Sequence, residues 1–241
     1  MAFASVGIVT PLLAGIVMPL CRLLPGSPAD KDVRAQRAIH WATRFFAWEL
    51  EALRVTRIEW EGVERLKAPG ILVVATHPTL MDALILMSQM PQADCVIKGS
   101  HFDHTILGPP SRRAGYIPNH DGPSLVEACA ARLRAGRSVI IFPEGTRSPA
   151  NDLGPFNRGA AHIALRAGCD PVPVTIRCHP ATLYRGLAWW DVPDRRFTLS
   201  LSVGDPIPVK DVVNQSMSRP RAARTLTAHL RDYFERRVFV V

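Results

Sequence analysis

The sequence predicts an α/β fold: a layered sheet of mixed, partly parallel strands flanked by helices, preceded by an N-terminal apolar and amphipathic helical segment that associates with a membrane. Two observations carry this prediction. From residue 54 onward, short apolar runs alternate with helical patterns of about 10–15 residues, the mark of strands interleaved with covering helices. Before residue 54 the apolar residues repeat only at helical spacings. The boundary divides the chain into a membrane-associating segment, 1–53, and an α/β domain, 54–241.

The elements follow in order. Residues 2–21 contain no charged side chain, and Val, Ile, Leu and Met dominate them. Such a run just reaches across a hydrocarbon core of about 30 Å, but Pro11 and Pro19 kink or break a helix there. A shallow or kinked membrane helix, a true span and a buried core helix all stay open. Arg22, Lys31, Arg34 and Arg37 come next and keep the remainder on the cytoplasmic face of the (inner) membrane. Residues 30–53 read as an amphipathic helix capped by Asp30, with Ala35, Ala38, Ile39, Ala42, Phe45, Phe46, Leu50 and Leu53 on its apolar face. A second stripe, Arg34, Arg37, Trp41, Arg44 and Trp48, interleaves tryptophan with arginine. That mixture suits the headgroup zone, although the same rings can pack on the body of the domain.

Strands are expected at 54–60 (an edge), 70–76 (buried), 93–98, 115–118, 138–142, 171–178 and 196–203. Helices are expected at 79–90, within 101–114, and at 123–135, 158–167 and 219–237. Pro123 opens the third of these helices and Gly136 closes it, as helix-end chemistry prefers.

Composition narrows the partners. With 29 Lys and Arg against 21 Asp and Glu, the net charge is +8, which favours an anionic membrane surface, a phosphorylated ligand, an acidic carrier protein or nucleic acid. No nucleic-acid motif is present and the apolar start favours lipid, so no nucleic acid is expected. The five cysteines are odd in number, scattered and free of CxxC pairs, arguing against a disulfide framework or a zinc site of that type. His101, Asp103, His104, His120 and Asp121 can be drawn as a metal cluster, but loop histidines near a basic site explain them equally, and no metal is expected.

Two segments carry chemistry, each just after a buried strand. In Thr76-His77-Pro78-Thr79-Leu80-Met81-Asp82, the carboxylate of Asp82 comes one turn after His77 and can fold back onto the imidazole. A carboxylate on one ring nitrogen frees the other to act as a base and stabilises the imidazolium that forms. Asp82 is equally at home early in a helix for the dipole alone. In Phe142-Pro143-Glu144-Gly145-Thr146-Arg147-Ser148, an arginine fork beside hydroxyls suits a phosphate or carboxylate, and a salt-bridged surface turn is the alternative. The spacing and lysine of a P-loop are missing.

Taken together and in this order, the HxxxxD box at His77–Asp82 and the FPEGTRS box at Phe142–Ser148 resemble the glycerophospholipid acyltransferase family of the lysophosphatidic acid type. The similarity extends to Pro155-Phe156-Asn157-Arg158-Gly159-Ala160, to Val172-Pro173-Val174 and to the upstream turn Glu61-Gly62-Val63-Glu64, about residues 55–205 in all. The resemblance implies acyl transfer from a thioester, acyl-CoA or acyl carrier protein, to a hydroxyl of a membrane lipid acceptor such as a lysophospholipid. No cofactor is implied beyond that thioester co-substrate. His77 would take the acceptor's proton, with Asp82 orienting it. Glu144, Gly145, Thr146 and Arg147 would bind the acceptor.

One stretch departs from the family pattern. Where the family's middle box reads GxIxIxR, the chain has Gly115-Tyr116-Ile117-Pro118-Asn119-His120-Asp121, with Asp121 in the arginine's place. Arg112 or Arg113 are the nearest substitutes. A non-phosphate acceptor, such as an amino-acid lipid or the product of a carrier-protein-dependent synthase, is therefore a second expectation. Thioester hydrolysis and a non-catalytic lipid-binding scaffold are the remaining ones.

Overall fold

The computed structural model describes residues 9, 11–102, 108–119, 122–150, 152–188, 191, 195–214 and 216–238. Among these, seven strands form one sheet: β1 (Thr56–Glu61), β2 (Leu72–Ala75), β3 (Ala93–Lys98), β4 (Ile117–Asn119), β5 (Ser138–Ile141), β6 (Pro171–His179) and β7 (Phe197–Val203). Their spatial order is β1-β7-β6-β2-β5-β3-β4. The β6–β7 pair is antiparallel and every other neighbouring pair is parallel, so the sheet is mixed. Strand β1 lies at an edge, as expected, and β2 sits between β5 and β6.

The helices, in chain order, are α1 (Met18–Leu23), α2 (Pro28–Ala52), α3 (Asp82–Met87), α4 (Gly99–Phe102), α5 (Gly108–Arg113), α6 (Pro123–Arg134), α7 (Gly159–Ala167), α8 (Val209–Val212) and α9 (Arg219–Val238). Successive residues of a strand face opposite ways, and β2 is apolar throughout because both of its faces are covered. Val73 and Ala75 share a core with Ile39, Phe46 and Leu50 of α2. Leu72 and Val74 pack in a second core with Leu133 of α6, Ile163 of α7, and Leu226 and Phe234 of α9. Each fully buried Val, Leu, Ile or Phe among them contributes about 1.5–3 kcal/mol.

The structure departs from the expected helices in four places, each for a local reason. The cap of α2 is Ser27, not Asp30: the Asp30 backbone N–H donates to Ser27 Oγ at 3.2 Å and the Ser27 N–H donates to Asp30 Oδ2 at 2.8 Å, a capping box that uses Asp30 as its third residue. The buried face of α2 is rotated from the expected stripe. It includes Gln36, His40 and Thr43, while Phe45 and Leu53 are exposed. Polar groups are tolerated there because each finds a partner, as when Gln36 Nε2 donates to Asp94 Oδ1 at 3.0 Å and to Ala114 O at 3.1 Å. The helix expected at 79–90 is shorter, Asp82–Met87, because Asp82 is drawn back onto Thr79 and His77.

The fourth departure is at the start of the chain. The first eight residues and Thr10 of the apolar run lie outside the described residues. Beyond them, Leu13–Val17 forms a π-helical turn before α1, with the Met18 N–H reaching back to Leu13 O. Pro19 has no N–H to give the carbonyl four residues earlier, and its ring crowds that carbonyl, so the preceding turn widens. No helix among the described residues is long and apolar enough to cross a membrane.

Candidate active site

The site is built on two adjacent parallel strands. Strands β2 and β5 pair with Val73 opposite Ile140, and the chain leaves both at the same carboxyl edge of the sheet. Open α/β sheets bind ligands at that edge. Thr76 fixes the exit from β2: its Oγ donates to Ile176 O at 3.2 Å and accepts from the Ile176 N–H at 2.8 Å. The next residue is His77.

The imidazole is held on two sides. His77 Nδ1 lies 2.8 Å from Asp82 Oδ2, and the ring stacks on Phe142 with centroids 4.3 Å apart and planes 27° apart. A carboxylate accepts only, so Nδ1 carries the proton and Nε2 is the ring nitrogen left as a base. Asp82 is itself fixed. Its Oδ2 also accepts from the Thr79 N–H at 2.7 Å, and its Oδ1 accepts from Thr79 Oγ at 2.6 Å. The Asp82 side chain is 0% exposed and that of His77 is 19% exposed, so the acid is sealed while the base reaches the cavity. The two residues expected to form a dyad are thus brought together.

The FPEGTRS segment folds over this pair. Glu144 is buried and both its oxygens accept from within the protein: Oε1 from the His77 N–H at 3.0 Å, Oε2 from Ser148 Oγ at 2.7 Å and the Gly154 N–H at 2.8 Å. The Ser148 N–H returns a bond of 2.7 Å to His77 O. The carboxylate expected to meet the acceptor is therefore directed at two backbone N–H groups and the Ser148 hydroxyl, where it clamps the two segments. Gly145 has φ +69°, and a Cβ there would lie 3.1 Å from Asn157 Nδ2, so the turn favours glycine.

A cavity of about 1360 Å³ opens beside His77. Gly145, Thr146 and Arg147 line it. Arg147 Nη1 donates to Leu183 O at 2.9 Å and to Tyr184 O at 3.1 Å, which anchors the guanidinium while it faces the cavity. Arg112 and Arg113, the expected substitutes for the family's arginine, are not among the lining residues. Their Nη1 atoms donate instead to Phe102 O and Ala14 O. Lys98, at the end of β3, does line the cavity and supplies a cation that sequence reasoning missed. Its signal was its position at the carboxyl end of a strand. Part of the cavity wall is apolar, with Leu13, Ile39, Ala42, Phe46, Leu84 and Met87 from the α1–α2 side. Cys95 lines it too, and burial pushes its thiol up to about 12.

Among the described residues, no group of three or more His, Cys, Asp or Glu side chains is placed to hold a metal ion. Asp103, His104, His120 and Asp121, including the residue in the family arginine's place, lie outside the described residues.

Comparison with known proteins shows what the chain is similar to. The sequence model of the family described as Acyltransferase matches residues 57–177. The chloroplastic 1-acyl-sn-glycerol-3-phosphate acyltransferase LPAT1 of Arabidopsis thaliana is 32% identical over 127 residues, covering 50% of this chain and 36% of that protein. The 1-acyl-sn-glycerol-3-phosphate acyltransferase of Pseudomonas aeruginosa is 26% identical over 153 residues, covering 61% of this chain and 58% of its own length. The matched segments thus span between about a third and three-fifths of these two relatives. The crystal structure of the 1-acyl-sn-glycerophosphate acyltransferase PlsC from Thermotoga maritima superposes with a TM-score of 0.72 at 18% identity, covering 98% of this chain and 94% of that one, a shared fold.

Proposed function

Because the chain belongs to the acyltransferase family, we propose that it moves a fatty acyl group from an acyl thioester to a free hydroxyl of a membrane lysophospholipid of the 1-acylglycerol-3-phosphate kind. The observation that carries this reading is the His77–Asp82 pair, 2.8 Å apart, with His77 lining a cavity that has an apolar wall and, among its cations, Lys98 and Arg147. His77 Nε2 takes the acceptor's hydroxyl proton as the oxygen attacks the thioester carbonyl carbon. Asp82 keeps Nδ1 protonated and stabilises the imidazolium. Collapse of the tetrahedral adduct breaks the C–S bond, and the imidazolium returns its proton to the departing sulfur. The products are an ester and a thiol, and the base is restored.

Lys98 and Arg147 give a phosphate two cations in the cavity. They supply the positive charge that Arg112 and Arg113 do not, and so favour a phosphate-bearing acceptor over an amino-acid lipid. The apolar wall suits the acyl chain. Membrane association is supported by exposed apolar side chains on the α1–α2 side, including Leu20, Leu23, Trp41 and Trp48, with Leu80 beside the site.

The test is product identification. The protein is incubated with acyl-CoA or acyl carrier protein and with lysophosphatidic acid, a phosphate-free lipid alcohol, or no acceptor. Mass spectrometry should find the diacyl phosphate lipid and free thiol. Fatty acid released equally with and without acceptor would identify a hydrolase instead.

A further inference from the structure

The cavity beside His77 continues past the sheet edge. Its lining runs from the α1–α2 side over Phe142 and Pro143 to the opposite helical layer, where Glu127 of α6, His162 and Arg166 of α7 and Arg219 of α9 complete it. The two arms differ in charge: the first is mostly apolar, whereas the second adds charged groups to a wall that includes Leu125, Val126 and Ala160. His162 and Arg166 stand one turn apart on the same face of α7. Arg166 Nε donates to Glu127 Oε2 at 2.6 Å, and Arg134 Nη2 donates to Glu127 Oε1 at 2.7 Å. The carboxylate of this arm is thus held by two guanidinium groups, which keep its pKa below the ordinary value, and it fixes Arg166 in place. Arg166 and Arg219 against Glu127 leave the arm net positive.

Distance and direction also fit. Helix α7 starts at the carboxyl edge, where the Asn157 N–H donates to Pro143 O at 2.7 Å. Arg166 lies seven residues beyond Gly159, about 10 Å back along the helix axis. The apolar arm lies on the side of the sheet where α2 exposes Trp41 and Trp48, and the charged arm lies on the other. An acyl thioester joins an apolar chain to a polar, phosphate-bearing thiol carrier at the carbonyl carbon. A cavity that is mostly apolar on one side of His77 and offers Arg166 and Arg219 on the other presents complementary surfaces in that order.

We propose that this second arm receives the phosphopantetheine portion of the acyl donor, with Arg166 and Arg219 meeting its phosphate oxygens, while Lys98 and Arg147 serve the acceptor. The assignment rests on the reading of the site as a thioester-dependent transferase. Coenzyme A and acyl carrier protein share this phosphate-bearing arm, and the experiment separates them.

Full-length protein in vesicles of mixed zwitterionic and anionic phospholipid is assayed as wild type, as Arg166→Glu/Arg219→Glu, and as Arg219→Ala, which changes only an exposed residue. Three donors carry one acyl chain: acyl-CoA, acyl carrier protein, and an S-acyl pantetheine without phosphate. The expected result is a donor KM raised about tenfold or more by the double substitution for the phosphate-bearing donor the enzyme uses, since each lost charged hydrogen bond costs roughly that factor. Arg219→Ala gives a smaller rise. The acceptor KM and the KM for S-acyl pantetheine stay as in wild type. Calorimetry with free coenzyme A and with unacylated carrier protein reads the same loss without turnover, so it stands even if transfer itself fails. Unchanged donor KM and unchanged carrier affinity in the folded double variant would overturn the assignment, as would an equal rise with S-acyl pantetheine.

Discussion

Glu144 and His77 are joined through the backbone: Glu144 Oε1 accepts the His77 N–H at 3.0 Å, leaving the imidazole to Asp82. Glu144 therefore fixes the backbone from which the His77 imidazole projects, and Ser148 closes the clamp from the other side. Glu144→Ala strands two backbone N–H groups and the Ser148 hydroxyl in a buried place, so unfolding free energy should fall by roughly 2–4 kcal/mol. Denaturant melts measure this. Transfer should fall with it through kcat, because His77 loses its placement. A stable variant with only a raised acceptor KM would show that Glu144 contacts the acceptor instead.

Lys98→Ala and Arg147→Ala should each raise the acceptor KM about tenfold or more, the cost of one charged hydrogen bond. Donor KM should hardly move. For Arg147 a modest loss of stability accompanies this, since its Nη1 also holds Leu183 O and Tyr184 O. Steady-state kinetics with a phosphate-bearing acceptor decide the matter, and an unchanged acceptor KM in both variants removes the anion role.

Cys95 lines the cavity, but its burial disfavours the thiolate a nucleophile needs. Burial pushes its thiol up to about 12, so at pH 8 only about 1 in 10⁴ is thiolate, and the fraction gains tenfold per pH unit above that. Iodoacetamide at pH 8 should leave the Cys95 peptide unmodified and activity intact. Rapid alkylation with loss of transfer would contradict this.

Removing residues 1–24 deletes Leu20, Leu23 and the other exposed apolar groups of the first turns but leaves Trp41 and Trp48 on α2. Sedimentation with anionic vesicles should weaken strongly without vanishing. Full retention of vesicle binding would place the anchor elsewhere.

The sheet was legible because strands buried on both faces read as continuous apolar runs, as Leu72-Val73-Val74-Ala75 does. The His77–Asp82 pairing was also legible, since it depends on a short spacing at the end of such a strand. Three features were hidden because they depend on contacts distant in sequence. Glu144 resembles a ligand-binding acid until Ser148, Gly154 and His77 are seen to use its oxygens. The buried face of α2 includes Gln36 and His40 because Asp94 and the Met87 carbonyl wait for them. Lys98 ends a strand whose neighbour β5 leads to Arg147, an adjacency fixed only by the sheet order.

If His77 is the general base of acyl transfer, poised by Asp82, the single-turnover rate of ester formation for His77→Ala and Asp82→Asn shows it, with folding checked by circular dichroism. Falls of about 10²–10⁴ are expected for His77→Ala and of similar order for Asp82→Asn, whose amide cannot hold the same tautomer. Ester formation at near wild-type rate by either folded variant would contradict it.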